Sequence, residues 1–332
     1  MTRSGWLAGP QRLGWREVLV AWLAFSGLAL LLYEPALRGP LLSDDWIYFV
    51  NRPYMEALTA QNVATILDPG GDPVVLTWNW APLHLLAHSL LRALLGSYRE
   101  TYPHHVVNVV LHAGNATLLL ALLAGRGVPV IAAAAGALLF LLHPANVEAV
   151  AWIFQLKTLL SFSFGMAALL LLVRSPAWAT LGFGLGLLVK PSAAAVLAAA
   201  IVFEWLRTPG AGEPPRQTAW LVAWAALFAA YAIPEWSAFR NTGEFWLPVP
   251  VGERLLQAVA IVGRSTVLAL GSFGASSFHQ PTPPASLLDP WFGLGLASIA
   301  RLEAMPERVD PTLVRRLRGD VERALGRRPG AP

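Results

Sequence analysis

The chain has 332 residues, of which 55% are hydrophobic and only 13% charged, whereas a soluble domain carries about a quarter charged residues. Its net charge of +4 comes almost entirely from arginine, and the arginines fall in a few segments, so the basic balance marks a loop bias and not a nucleic-acid surface. Cysteine is absent, which excludes disulfides and thiol chemistry and leaves the compartment open.

Apolar stretches near 17–37, 105–125, 128–143, 157–173, 176–190, 192–206 and 218–236 approach the roughly 20 residues that span a bilayer core. The expected fold is therefore all-α, a polytopic transmembrane helical bundle over 1–300, followed by a basic tail over 301–332. The first stretch, EVLVAWLAFSGLALLLYEPAL, is long for a signal segment and has no clean small-x-small site, so it is expected to remain as an anchor. A long loop follows over 38–104, and within it WAPLHLLAHSLLRALLG reads as an amphipathic helix at headgroup level, with His84, His88 and Arg92 on one face.

In the next span His105, Asn108, His112 and Asn115 form a polar seam within about 80° of a helical wheel. It either bonds neighbouring helices or lines a cavity. TPGAGEPPR at 208–216 reads as a linker. Residues 254–272 are ambiguous between a span and an interfacial helix. Asp289 and Pro290 open a further helix, and Asp310 with Pro311 a last, basic amphipathic one.

Arg3, Arg12 and Arg16, then Arg126, Arg174, Arg207 and Arg216, alternate with loops carrying Asp44, Asp45, Glu56, Asp68, Asp72, Glu100, Glu148, Glu235 and Glu244. By the positive-inside rule the N-terminus and tail are expected in the cytoplasm and the acidic loops outside.

Four features of the acidic side stand out. Asp44 and Asp45 in LLSDDWIYF point in different directions, so one can act as a general base and the other orient it or hold a metal. In HPANVEAVAWIFQLKTLL, His143 ends a span and Glu148 shares a face with Trp152 and Gln155. Lys157 lies about half a turn off that face, which predicts a bend near 154–156. Lys157 and Lys190 are the only lysines in the chain; each can snorkel to headgroups or act as a point charge for a bound phosphate. Arg240, read in a loop among aromatics, can grip an anion. An outward site with carboxylates and phosphate-depth cations suits group transfer from a membrane-borne phosphate carrier, and equally a lipid-carrier transporter or an assembly scaffold.

SDDWIY, WAPLHLLAHSLLRALLGSYRETYPHHVVNVVLHAGNATLLLALL, HPANVEAVAWIFQLKTLLS and LLVKPSAAAVLAAAIVFEWL, in this order, resemble the membrane region of the tetratricopeptide-associated O-mannosyltransferase-like proteins and their bacterial relatives, within the C-type glycosyltransferase (GT-C) superfamily. The resemblance implies a glycosyltransferase of the cytoplasmic membrane that moves a sugar from a polyprenyl-phosphate donor to a protein or glycan hydroxyl. It makes Asp44 or Asp45 the base, with Lys157, Lys190 and Arg240 on the donor phosphate. His143, Glu148, His105, Asn108 and His112 would shape the site. No metal ligand set is evident, and the need for a divalent metal is left open.

Overall fold

The computed structural model describes residues 12–50, 52–77, 79–207, 215–241, 250–271 and 287–304. All regular elements among them are helical: α1 (Trp15–Leu32), α2 (Glu34–Leu37), α3 (Asp44–Phe49), α4 (Pro53–Glu56), α5 (Ala60–Leu67), α6 (Asp72–Thr77), α7 (Pro82–Leu95), α8 (Thr101–Gly125), α9 (Val130–Leu142), α10 (Val147–Ala151), α11 (Leu156–Leu171), α12 (Pro176–Val189), α13 (Ala195–Leu206), α14 (Thr218–Asn241), α15 (Val251–Gly271) and α16 (Pro290–Ala304). Short 3₁₀ turns at Pro144–Asn146, Ile153–Gln155 and Pro191–Ala194 lead into α10, α11 and α13. Contacts divide the chain into two units, residues 1–245 and 246–332.

Four helices are long and apolar enough to cross a bilayer, Trp15–Leu32, Thr101–Gly125, Ile153–Leu171 and Thr218–Ala238, and Val130–Leu142 with Pro144–Ala151, bent by 51°, makes a fifth if the pair is one span. This is a multi-pass helical membrane protein. The spans expected at 176–190 and 192–206 need correction: α12 and α13 have 14 and 12 residues, about 21 and 18 Å of helix, below a full crossing. Pro191 is the cause, because it forces Lys190 into an extended conformation (φ −159°, ψ 132°) and ends α12. The first span likewise stops at Leu32, where Pro35 restarts the chain as the short α2.

In the first unit α8 is the central helix, half buried, whereas only 17% of α1 and 11% of α14 is covered. Ala29, Ala113, Ala116, Ala133 and Ala137 are fully buried where α1, α8 and α9 meet. With lipid outside as apolar as the core, close contact of small side chains is what holds such helices together. A second core joins α11, α12, α13 and α14, where the Phe183 and Trp224 rings stack at 4.6 Å and Trp224 Nε1 donates to Thr180 Oγ1 at 2.8 Å. At the end of α13 the buried Glu204 carboxylate accepts both guanidinium arms of Arg207 and the Gln217 N–H, and Arg126 lies 4.5 Å over Phe203. This polar knot ties the end of α8 to the α13–α14 connection.

Residues 38–104 are not one loop with a single helix. They fold into α3 to α7 over a third core of Tyr48, Phe49, Met55, Ile66, Leu85, Tyr98, Ile153 and Phe154. In the second unit α15 packs on α16 through Gly263; a Cβ there would meet Trp291 O at 2.5 Å. α16 opens as expected, with Pro290 first and Asp289 Oδ1 accepting the Trp291 N–H at 2.8 Å. Residues 208–214 of the linker and the helix expected from Asp310 lie outside the described residues.

Candidate functional site

The expected bend is present. α10 ends at Trp152, whose extended backbone breaks the helix, and the 3₁₀ turn Ile153–Gln155 re-aims the chain into α11. Glu148 and Lys157 do not close this turn as an ion pair. Gln155 Nε2 donates to Glu148 Oε1 at 3.2 Å, Thr158 Oγ1 donates to Gln155 Oε1 at 2.6 Å, and Lys190 Nζ donates to Thr158 Oγ1 at 2.8 Å. Lys157 instead places its ammonium 3.8 Å from the centre of the Phe154 ring.

The break at Pro191 thus carries Lys190, 33 positions further along, beside Lys157. The charges form a run: Asp44 attracts Lys157, the two lysines repel each other, and Glu148 attracts Lys190. Among the described residues neither lysine makes a salt bridge; the ion pair there is Arg207 with Glu204. Two half-buried like charges, neither bonded directly to a carboxylate, form a place where an anion gains attraction from both.

The acidic pair separates in role. Asp45 is fully buried (0% exposed). Its Oδ2 accepts the Leu42 N–H at 2.9 Å and its Oδ1 the Phe154 N–H at 2.8 Å, and the Trp152 indole, which donates to Leu42 O, also lies by the carboxylate. Burial outweighs these bonds and pushes the carboxyl up to about 6. Asp44 is half-exposed and touches only the Ser43 hydroxyl at 3.3 Å. Ser43, directly before the pair, has φ 41° and ψ −109°, a strained conformation for a residue with a side chain. Of the two carboxylates, only Asp44 keeps its oxygens free of backbone donors.

The polar seam of α8 bonds neighbouring segments, as the first of its two readings expects. His105 Nε2 donates to Gly39 O (3.2 Å), Asn108 Nδ2 to Trp152 O (3.0 Å), His112 Nε2 to Leu141 O (3.1 Å) and Asn115 Nδ2 to Leu159 O (3.0 Å). Trp152 O also takes the Gln155 N–H at 3.0 Å, whereas Leu141 O, in the last turn of α9, lacks its own i+4 donor. In hydrocarbon such a carbonyl must be met from within the protein. Of the residues read as site-shaping, His105 therefore holds Gly39 ahead of the acidic pair, while Asn108 and His112 act one step removed, bonding the two ends of the turn that presents Glu148. His143 does the same from the other side, its Nδ1 accepting the Ala145 N–H at 3.2 Å.

α7 forms where expected, but its faces are reversed from a headgroup-level helix. His84 and His88 are buried while Leu90 and Leu94 are exposed. The imidazoles pack on rings: His84 lies 4.8 Å from Phe154, His88 4.2 Å from Phe49, and Tyr98 OH bonds His88 Nδ1 at 2.6 Å. Desolvation pushes both histidines well below the usual imidazole range, so they are neutral. An apolar Leu face can turn to lipid, whereas neutral imidazoles find aromatic edges inside, and this inverts the amphipathic reading.

Phe154, Tyr48, Thr158 and Tyr98 are the contributors that motif reading passed over. An aromatic residue three before a lysine at a helix start was the available signal for Phe154. Arg240 belongs to the last turn of α14 and not to a loop; its side chain lies outside the described residues. Among the described residues no three His, Asp or Glu side chains gather as a metal-holding group. Comparison with known protein families, curated proteins and solved structures finds no match to this chain.

Proposed function

We propose that the protein is a membrane glycosyltransferase of the GT-C type, which moves a sugar from a polyprenyl-phosphate carrier to an acceptor hydroxyl on a protein or glycan. The observation that carries this reading is one turn, 153–158, that carries Lys157 and is tied to Lys190 through Thr158, to Glu148 through Gln155 and to the segment of Asp44 through its neighbour Asp45. The motif resemblance supports the same chemistry. The positive-inside rule places this end outside the cytoplasmic membrane, with the N-terminus and tail inside. A reporter inserted at Gly70 should then be external and one in the turn at Gly127 cytoplasmic.

In the proposed reaction the acceptor oxygen attacks the anomeric carbon as the bond from that carbon to the phosphate oxygen breaks. Asp44 takes the acceptor proton. The electron pair leaves with the phosphate, whose second negative charge Lys157 and Lys190 stabilise. Lys190 donates to the Thr158 hydroxyl with one of its three N–H bonds, which leaves the others for phosphate oxygens. Holding the carrier lipid and the acceptor together supplies proximity.

The test is incubation of membranes with labelled polyprenyl-phosphate sugars, following label into protein, glycan and lipid. Asp44→Asn should lower transfer by roughly two to four orders of magnitude with donor binding retained. Donor binding with no transfer by the native protein would replace the enzyme reading with a carrier or scaffold.

A further inference from the structure

Asp45 is spent on backbone, and one of its two partners is informative. The Phe154 N–H that it binds at 2.8 Å belongs to the residue whose ring carries the Lys157 ammonium at 3.8 Å. Tyr48, one turn after Asp45 on the same helix, stacks on that ring at 4.5 Å. Its other carboxylate oxygen takes the Leu42 N–H and closes the backbone around the strained Ser43, the residue before Asp44. One buried carboxylate therefore ties together the two segments that supply Asp44 and Lys157.

We infer that Asp45 is a positioning residue, which sets Lys157 against Asp44 by clamping the backbone of Phe154. The roles of Asp44 and Lys157 rest on the function proposed above, but the clamp is a geometric arrangement that exists with or without sugar transfer. Lys190 is held by a different contact, the Thr158 hydroxyl, which the Gln155 and Glu148 side chains hold in turn.

The presence of only two lysines in the chain gives a direct readout. The purified full chain in detergent is treated with a water-soluble carbodiimide, which joins a carboxylate to an amine when side-chain motion brings the two together, and the linked peptides are quantified by mass spectrometry. The native protein should yield an Asp44–Lys157 link and a Glu148–Lys190 link. In Asp45→Asn the first should fall about fivefold, the shift expected from freeing one cation–π contact, while the second stays constant within a factor of about two. Phe154→Leu keeps the N–H that Asp45 binds but removes the ring, and should show the same selective fall.

Absence of the Asp44–Lys157 link in the native protein, or an unchanged link in either variant, overturns the inference. If Asp45→Asn loses both links it has lost its fold, and Phe154→Leu then decides: a selective fall supports the clamp, and a joint fall or none refutes it. Failure of the sugar-transfer assay would leave this cross-linking pattern untouched, so the two readings fail separately.

Discussion

Replacing Asp45 by Asn should change how stability depends on pH more than it changes stability at any one pH. Burial moves the folded carboxyl from 3.8 to about 6. At 1.36 kcal/mol per pH unit this difference is worth about 3 kcal/mol. The sign follows from linkage: a carboxyl that holds its proton more tightly when folded contributes stability below about pH 4 and loses it as pH rises through about 6. The native protein should therefore give up about 2.5 kcal/mol between pH 4 and 7.5 through this group. The Asn variant has no proton to lose.

Asn also cannot accept from both the Leu42 and the Phe154 N–H, a loss of about 1–3 kcal/mol, but that loss does not depend on pH. It displaces the variant's curve without altering its shape. Other groups titrate in both proteins and cancel in the difference. Unfolding of the detergent-solubilised protein, followed from pH 4 to 8 for both forms, should show the variant gaining on the native protein up to about pH 6 and levelling off above it. A difference that stays flat across that range would refute the account of Asp45 as a buried, ionisable clamp.

Ser43→Gly should raise the unfolding midpoint, because glycine relieves a positive-φ strain of about 1 kcal/mol or more; a lower midpoint would show that the Ser43 side chain matters more than its backbone. Asn115→Leu removes the donor to Leu159 O and the acceptor for Ser163 Oγ and should destabilise the protein by about 1 kcal/mol, the usual scale for such bonds in membranes, as measured by unfolding. Glu204→Ala strands Arg207, which is bound bidentately, and should cost about 3 kcal/mol; double replacement of Glu204 and Arg207 by apolar residues should recover part of it. A double variant no more stable than Glu204→Ala would remove the buried pair from the explanation.

Hydropathy and punctuation were enough to read the helical class, the multi-pass character, the start of α16 and the bend before α11. Each is a local property: a proline, a capping aspartate, or a run of apolar residues acts within one or two turns of itself. Hydropathy misjudged α12 and α13, because it registers greasiness and not the shortening imposed by Pro191. It also left the polar seam of α8 undecided. A wheel shows that His105, Asn108, His112 and Asn115 share a face, but only tertiary packing shows that backbone carbonyls of other segments lie opposite them.

The candidate site divides along the same line. Residue type and spacing alone marked Asp44, Asp45, Glu148, Lys157 and Lys190 as charges in a chain that carries few, since an ionised group near a membrane needs a reason to be there. The sequence could not distinguish Asp44 from Asp45, because adjacent carboxylates are chemically identical until one is desolvated. Packing decided that: Asp45 is buried against two backbone N–H groups and Asp44 is left half-exposed. The seating of Lys157 on the Phe154 ring beside the Tyr48 stack, and of Lys190 on the Thr158 hydroxyl, was likewise a decision of the tertiary structure. Local sequence governs where a helix breaks, but which broken ends meet depends on how the helices pack.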